Sequence, residues 1–255
     1  MIRTLFIIAG AALVLAIASL SGAAGLVARD IDRNGGSWVI NDGDDQIRIE
    51  TVSGKRAPDV SRTLAWSDGN RLDIDLPATV TYIQGPEAGV VVTGSQSIVD
   101  RVRVENGRLY LARGTDEITL HWWAGGLSAR SDRDNLKIVV TAPSVTRFDL
   151  AGSRTLTIRD YDQPTLLIDI SGSGDVTATG KTTTLDLDIA GSGEADLSDL
   201  VTTDATVDIS GSGEARVAPT GTARLSIAGS GDITLTTRPA KLESNVSGSG
   251  DIHER

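Results

Sequence analysis

The chain has no cysteine, which excludes a disulfide framework, a thiolate metal site and a lipid anchor on an N-terminal cysteine. Histidine occurs only twice, at His121 and His253, so little is available for proton shuttling near neutral pH. Aromatic residues make up only 4% of the 255 residues, and there are seven prolines. Positive charge is in deficit as well. The 24 Lys and Arg stand against 34 Asp and Glu, and a net charge of −10 spread along the chain argues against a nucleic-acid partner. A cationic partner or a metal ion suits that balance better. What the chain does have is 40% hydrophobic residues and 28 glycines. A core of Val, Ile, Leu and Ala around many tight backbone positions fits stacked short strands better than packed helices.

The first segment is a targeting element. Arg3 precedes an uncharged apolar stretch over residues 5–27 that ends in the small residues Ser21, Gly22, Ala23 and Ala24. Small residues suit signal-peptidase cleavage, and a stretch of this length also suits a retained membrane anchor, so both readings stand for residues 1–28. Either one places the remainder outside the cytoplasm, in the periplasm, the cell envelope or the medium. Residues 29–37 read as a polar linker and residues 38–255 as one domain.

From Trp38 onward the pattern is short alternating runs, at residues 46–52, 71–76, 80–83, 98–104, 108–111 and 136–140. Alternation of period two over such lengths predicts strands. Asp68-Gly69-Asn70 and Asn106-Gly107 carry the chemistry of tight hairpin turns. No segment past the N-terminus keeps a helical period. Residues 38–147 are therefore expected to form irregular coils ahead of a regular array over 148–255.

That array announces itself by repetition. Gly152, Gly172, Gly191, Gly211, Gly229 and Gly248 each begin a Gly-Ser pair at intervals of 18 to 20 residues, and all but the first continue as Gly-Ser-Gly-acid. The residue two before each first glycine is Leu150, Ile170, Ile189, Ile209, Ile227 and Val246. Four after it come Leu156, Val176, Ala195, Ala215, Ile233 and Ile252. Even offsets are apolar on both sides of the corner and odd offsets are polar, a pattern that a flexible Gly/Ser linker does not carry. Each copy is thus strand, glycine bend, strand. Such a unit buries its face only by stacking, which predicts an all-β fold: a parallel β-helix or β-solenoid with coils of about 19 residues. Asp169, Asp188 and Asp208, followed by Ser226 and Asn245, then share one outward column.

The corners preceded by Asp-Ile-Ser or Asp-Ile-Ala, the lead-in Pro143-Ser144-Val145 and the segment Val102-Arg103-Val104-Glu105-Asn106-Gly107-Arg108-Leu109 together resemble a known family. It is the bacterial auto-transporter adhesin head domain, or GIN domain, and the resemblance covers roughly residues 45–253. It implies an exported β-helical protein without an assigned activity. One departure is that the chain stops at Arg255, directly after the last corner, which leaves a C-terminal cap unassigned.

Candidate chemistry is thin. No serine lies in a G-x-S-x-G elbow. The stretch Gly174 to Thr182 misses the phosphate-loop spacing by one residue. Paired carboxylates for sugar cleavage have no distinguishable pair among so many acids. The first candidate site is the corner column Asp175, Glu194, Glu214, Asp232 and Asp251, which reads as solvated turn acids or as a site for a hard cation such as calcium. The second is Trp122-Trp123, which reads as a contact tip for a sugar or protein, or as rings packed into the core and over a sheet edge. The function expected is an exported structural, adhesive or binding module without catalytic activity. Its partner would be a cell-surface, glycan or envelope-protein group, with membrane contact through residues 1–28 if they are retained. A carbohydrate-active enzyme on a β-helix and an anchored envelope-stress or sensory protein are the alternatives.

Overall fold

The computed structural model describes residues 37–42, 45–52, 58–66, 69–113, 115–123, 126–131 and 135–254. The targeting segment at residues 1–28 lies outside them. The chain divides into two compact units, residues 1–56 with 114–132 and residues 57–113 with 133–255. Among the described residues, no helix is long and apolar enough to cross a membrane.

The smaller unit is a four-stranded sheet. Ser37–Asp42 pairs antiparallel with Asp45–Val52, which pairs parallel with Thr115–Trp123, which turns back into Gly126–Ser131.

The larger unit is a parallel β-solenoid. Thr155–Gly172, Asp175–Gly191 and Glu194–Gly211 lie side by side in parallel. Glu214–Pro219, Thr222–Gly229, Asp232–Leu235, Lys241–Gly248 and Asp251–Glu254 continue the stack. The apolar columns read from the sequence face inward. Phe148, Ile168, Leu187, Val207 and Leu225 are all buried, as are Leu156, Val176, Ala195, Ala215 and Ile233. The six corner glycines stand beside one another with φ between 86° and 137°, a region that L side chains avoid. Their backbone keeps the ladder unbroken around the bend. Ser192 N donates to Gly172 O at 2.7 Å and Glu194 N to Gly174 O at 3.0 Å, and the pattern recurs one coil later.

The first corner departs from the rule because Arg154 replaces the second glycine. Its side chain folds over the stack and donates from Nε to Leu76 O at 2.7 Å, filling the step between the glycine corners and the Leu76-Pro77-Ala78 corner of the neighbouring coil. A third in-register run, at residues 161–163, 180–182 and 200–202, follows a bulge in each coil and was not legible in the repeat. It turns where Asp160 and Gly180 take φ of 55° and 123°.

The coil order is not the chain order. Arg71–Asp75 and Thr79–Gln84 form a coil whose one neighbour is Arg147–Gly152 with the start of Thr155–Gly172. Its other neighbour is Arg108–Leu111 with Lys137–Ala142. Between those last two strands the chain leaves the stack for the residues of the small sheet. The N-terminal end of the solenoid is antiparallel: Gly89–Gly94 lies on Lys137–Ala142, Val60–Leu64 on Gly89–Gly94, and Val102–Glu105 on Arg108–Leu111. Tyr82, Phe148 and Tyr161 pack edge to face at this end, 5.0 and 6.4 Å apart, and the tyrosine hydroxyls donate to Ala142 O and Thr165 O.

Two local expectations change. The alternating run at 98–104 begins as a helical turn, Gln96–Val99, because Ile98 and Val99 are both buried and adjacent strand residues would face opposite ways. Asn106-Gly107 is the hairpin turn expected, with φ of 49° and 79°. The region around Gly69-Asn70 is not a hairpin, since Val60–Leu64 and Arg71–Asp75 do not pair with each other; Asp68 lies outside the described residues.

Candidate functional site: acidic columns on the outer faces

The strand before each corner carries an outward residue between its two inward apolar ones. Parallel register sets these residues directly over one another, so Asp73, Asp149, Asp169, Asp188 and Asp208 form one continuous column. Neighbouring strands are about 4.8 Å apart, which brings like charges within direct reach of each other. Asp186 stands in the adjoining column, facing Leu167 and Thr206. Two arginines offset one end of the ladder. Arg71 Nε donates to Asp149 at 2.6 Å and Arg147 Nε donates to Asp149 at 3.1 Å, while Arg147 also pairs with Asp169. Partial burial, and then carboxyl neighbours, raise Asp169, Asp186 and Asp188 above their ordinary value; Arg147 pulls all three the other way, as the hydrogen bond with Asp169 does at Asp188.

Of this ladder, the alternation about the corners alone assigns Asp169, Asp188 and Asp208. Asp149 stands at the same offset from Gly152 as Asp169 does from Gly172, and Asp73 lies between Leu72 and Ile74 as Asp169 lies between Ile168 and Ile170. The first extension was readable from the repeat. The second required the non-sequential stacking of the coils.

The five corner acids do form one column, Asp175, Glu194, Glu214, Asp232 and Asp251, in register from coil to coil. Arg216 stands among them and donates to both Glu194 and Glu214 at 2.6 Å. Asp232 accepts from the Asp251 backbone N–H at 2.9 Å. Among the described residues, no three or more His, Asp or Glu are grouped as a metal site.

Trp122 and Trp123 end the strand Thr115–Trp123 and pair with Leu127 and Gly126 across the hairpin. Their side chains lie outside the described residues, as does that of His121. His253 lies in the strand Asp251–Glu254 beside Thr234. The near phosphate loop is no cradle. Gly174 is a corner glycine, residues 175–191 are one strand, and Gly180 packs against the backbone of Tyr161.

A family profile described as "Putative auto-transporter adhesin, head GIN domain" matches residues 70–239. No curated protein matches the chain. Two solved structures share the fold. One is described as a "putative adhesin" of Bacteroides fragilis NCTC 9343, at 17% identity and TM-score 0.58, covering 80% of this chain and 99% of that one. The other is a "putative adhesin" of Parabacteroides distasonis ATCC 8503, at 14% identity and TM-score 0.50, covering 81% and 100%. With two thirds of its length matched by that profile, the chain belongs to the auto-transporter adhesin head GIN domain family, as an exported adhesin-like β-solenoid module.

Proposed function

We infer that the solenoid is a rigid display surface in the cell envelope, on which the aspartate ladder engages a cationic group of a cell-surface, glycan or envelope-protein partner. The observation that carries this reading is the column itself. Six carboxylates, Asp73, Asp149, Asp169, Asp186, Asp188 and Asp208, share one face with Arg71 and Arg147. Like charges directly opposed across strands destabilise a sheet, so coil folding does not call for them. Ser226 and Asn245 occupy the same column in the next two coils and serve the fold as well. Residues 1–28 act in this reading as the targeting segment or the anchor, and Trp122 with Trp123 supplies a second contact of aromatic character.

The test is attachment of the protein to intact cells and to immobilised envelope material. Combined Asp169→Asn, Asp188→Asn and Asp208→Asn substitution is expected to leave far-UV circular dichroism unchanged and to reduce attachment at least tenfold. Undiminished attachment by that variant rejects the reading. Trp122→Ala and Trp123→Ala test the second contact in the same assay. For the corner acids, an unfolding midpoint that does not move between millimolar calcium and chelator removes calcium as their ligand.

A further inference from the structure

Among the described residues, the last coil is bonded along one edge only. Lys241 N donates to Gly221 O at 3.0 Å and Ser249 N to Gly229 O at 2.8 Å. By strand alternation the N–H groups of Leu242, Ser244 and Val246 point the other way, and no described strand lies on that side. Val246 is 43% exposed, whereas Ile227, its register partner one coil earlier, is 1% exposed. A row of unpaired donors and acceptors beside an apolar column is a template for another strand.

The corner restricts what fits there. Coils approach so closely that a Cβ on Gly229 or Gly248 would collide with the carbonyl oxygen of the glycine before it. A segment crossing the last corner therefore needs glycines at the crossing. The corner itself meets that need when read backwards. Val246-Ser247-Gly248-Ser249-Gly250-Asp251-Ile252 keeps its order of apolar, polar and glycine positions in both directions. In an antiparallel pairing centred on Ser249, Val246 faces the second copy's Ile252 and Gly248 faces its Gly250. Ser247 faces Asp251 and Asn245 faces His253, so no carboxylate meets a carboxylate. The opposite end of the stack does not offer this match, because its outermost strands, Val60–Leu64 and Val102–Glu105, carry no glycine corner.

We propose that two copies of this chain join tail to tail through the C-terminal coil, about a two-fold axis at Ser249. The pairing does not depend on what the aspartate ladder binds. It continues the strands on either side of the corner, Lys241–Gly248 and Asp251–Glu254, into the second copy and covers Val246 and Ile252.

The absence of cysteine makes the test direct. Directly opposed residues of an antiparallel pair have Cα atoms about 4.5–5.5 Å apart, within reach of a disulfide. Full-length Ser249→Cys is expected to form a disulfide-linked dimer on mild oxidation, while Ser230→Cys, the same position one corner earlier, remains uncrosslinked. The unmodified chain is expected to sediment as a dimer, and Val246→Lys as a monomer with unchanged circular dichroism. A monomer at every concentration overturns the proposal, as does equal crosslinking of the two cysteine variants. So does a monomer whose Ser244 and Val246 amides exchange slowly, since a strand of the same chain would then occupy the edge.

Discussion

At the scale of single residues, glycine sets the shape of the coil. Gly211 has φ of 128°, and a Cβ placed there would lie well inside contact distance of Gly191 O. Backbone strain of this kind costs about 1–3 kcal/mol before the clash is counted. Gly89 begins a strand without positive φ, and a Cβ added there meets nothing within 4 Å. Gly211→Ala is accordingly expected to lower the unfolding free energy by about 3 kcal/mol or more, and Gly89→Ala to change it by less than about 0.5 kcal/mol. Denaturant titration of the two variants checks this, and equal effects would mean that the corner tolerates a side chain. The corner glycines were legible because they recur at fixed spacing. Gly180 and Asp160, which turn the chain at the bulge, were not, because each coil solves that turn with a different residue.

At the scale of elements, strand register converts a spacing in sequence into a column of charge. Asp188 lies between Asp169 and Asp208 and beside Asp186; partial burial, then the charges of Asp186 and Asp208, raise it above its ordinary value, against a hydrogen bond with Asp169 that lowers it. A carboxyl raised in the folded state binds protons more tightly there than in the unfolded chain. Its contribution to stability is full below the unfolded value, about 3.9, and is lost as pH rises through the raised folded value. Stability owed to this face should therefore increase on acidification from neutral pH toward the ordinary carboxylate range. Asp188→Asn removes the titrating group and the repulsion together. It is expected to stabilise the protein at pH 7 by about 0.2–1 kcal/mol and to reduce the gain on acidification, both read from unfolding midpoints across pH. A variant with the parent's pH dependence would show that Asp188 does not carry the effect. The outward position of this column followed from alternation alone. Its length did not, because Asp73 joins through a coil whose neighbours lie far away in sequence.

At the scale of the whole molecule, the regular half was legible because each coil contacts only its neighbours and repeats one pattern. The N-terminal half was not, since its strands pair both parallel and antiparallel and one coil is split by the residues that build the small sheet. Quasi-one-dimensional stacking makes length negotiable and parity strict. Deleting residues 192–211 joins Gly191 to Ser212, rebuilds the corner as Gly-Ser-Gly-Glu and leaves every later residue on its face. Leu187 and Ile189 then stack on Leu225 and Ile227, which are already their equivalents two coils on. Deleting Thr206 alone shifts by one the side chains between it and the preceding bulge, or else those of Val207, Ile209 and the Gly211 corner. Burying a Val, Ile or Leu side chain is worth about 1.5–3 kcal/mol, so turning two or three of them outward removes much of a domain's net stability. The loss of twenty residues should therefore give a folded protein with a cooperative transition and a slightly smaller denaturant slope. The loss of one should give a protein that is largely unfolded or strongly destabilised, as read by circular dichroism and thermal melting. The opposite ranking would show that coils adjust to a slipped strand more readily than to a missing neighbour, and that register does not hold this solenoid together.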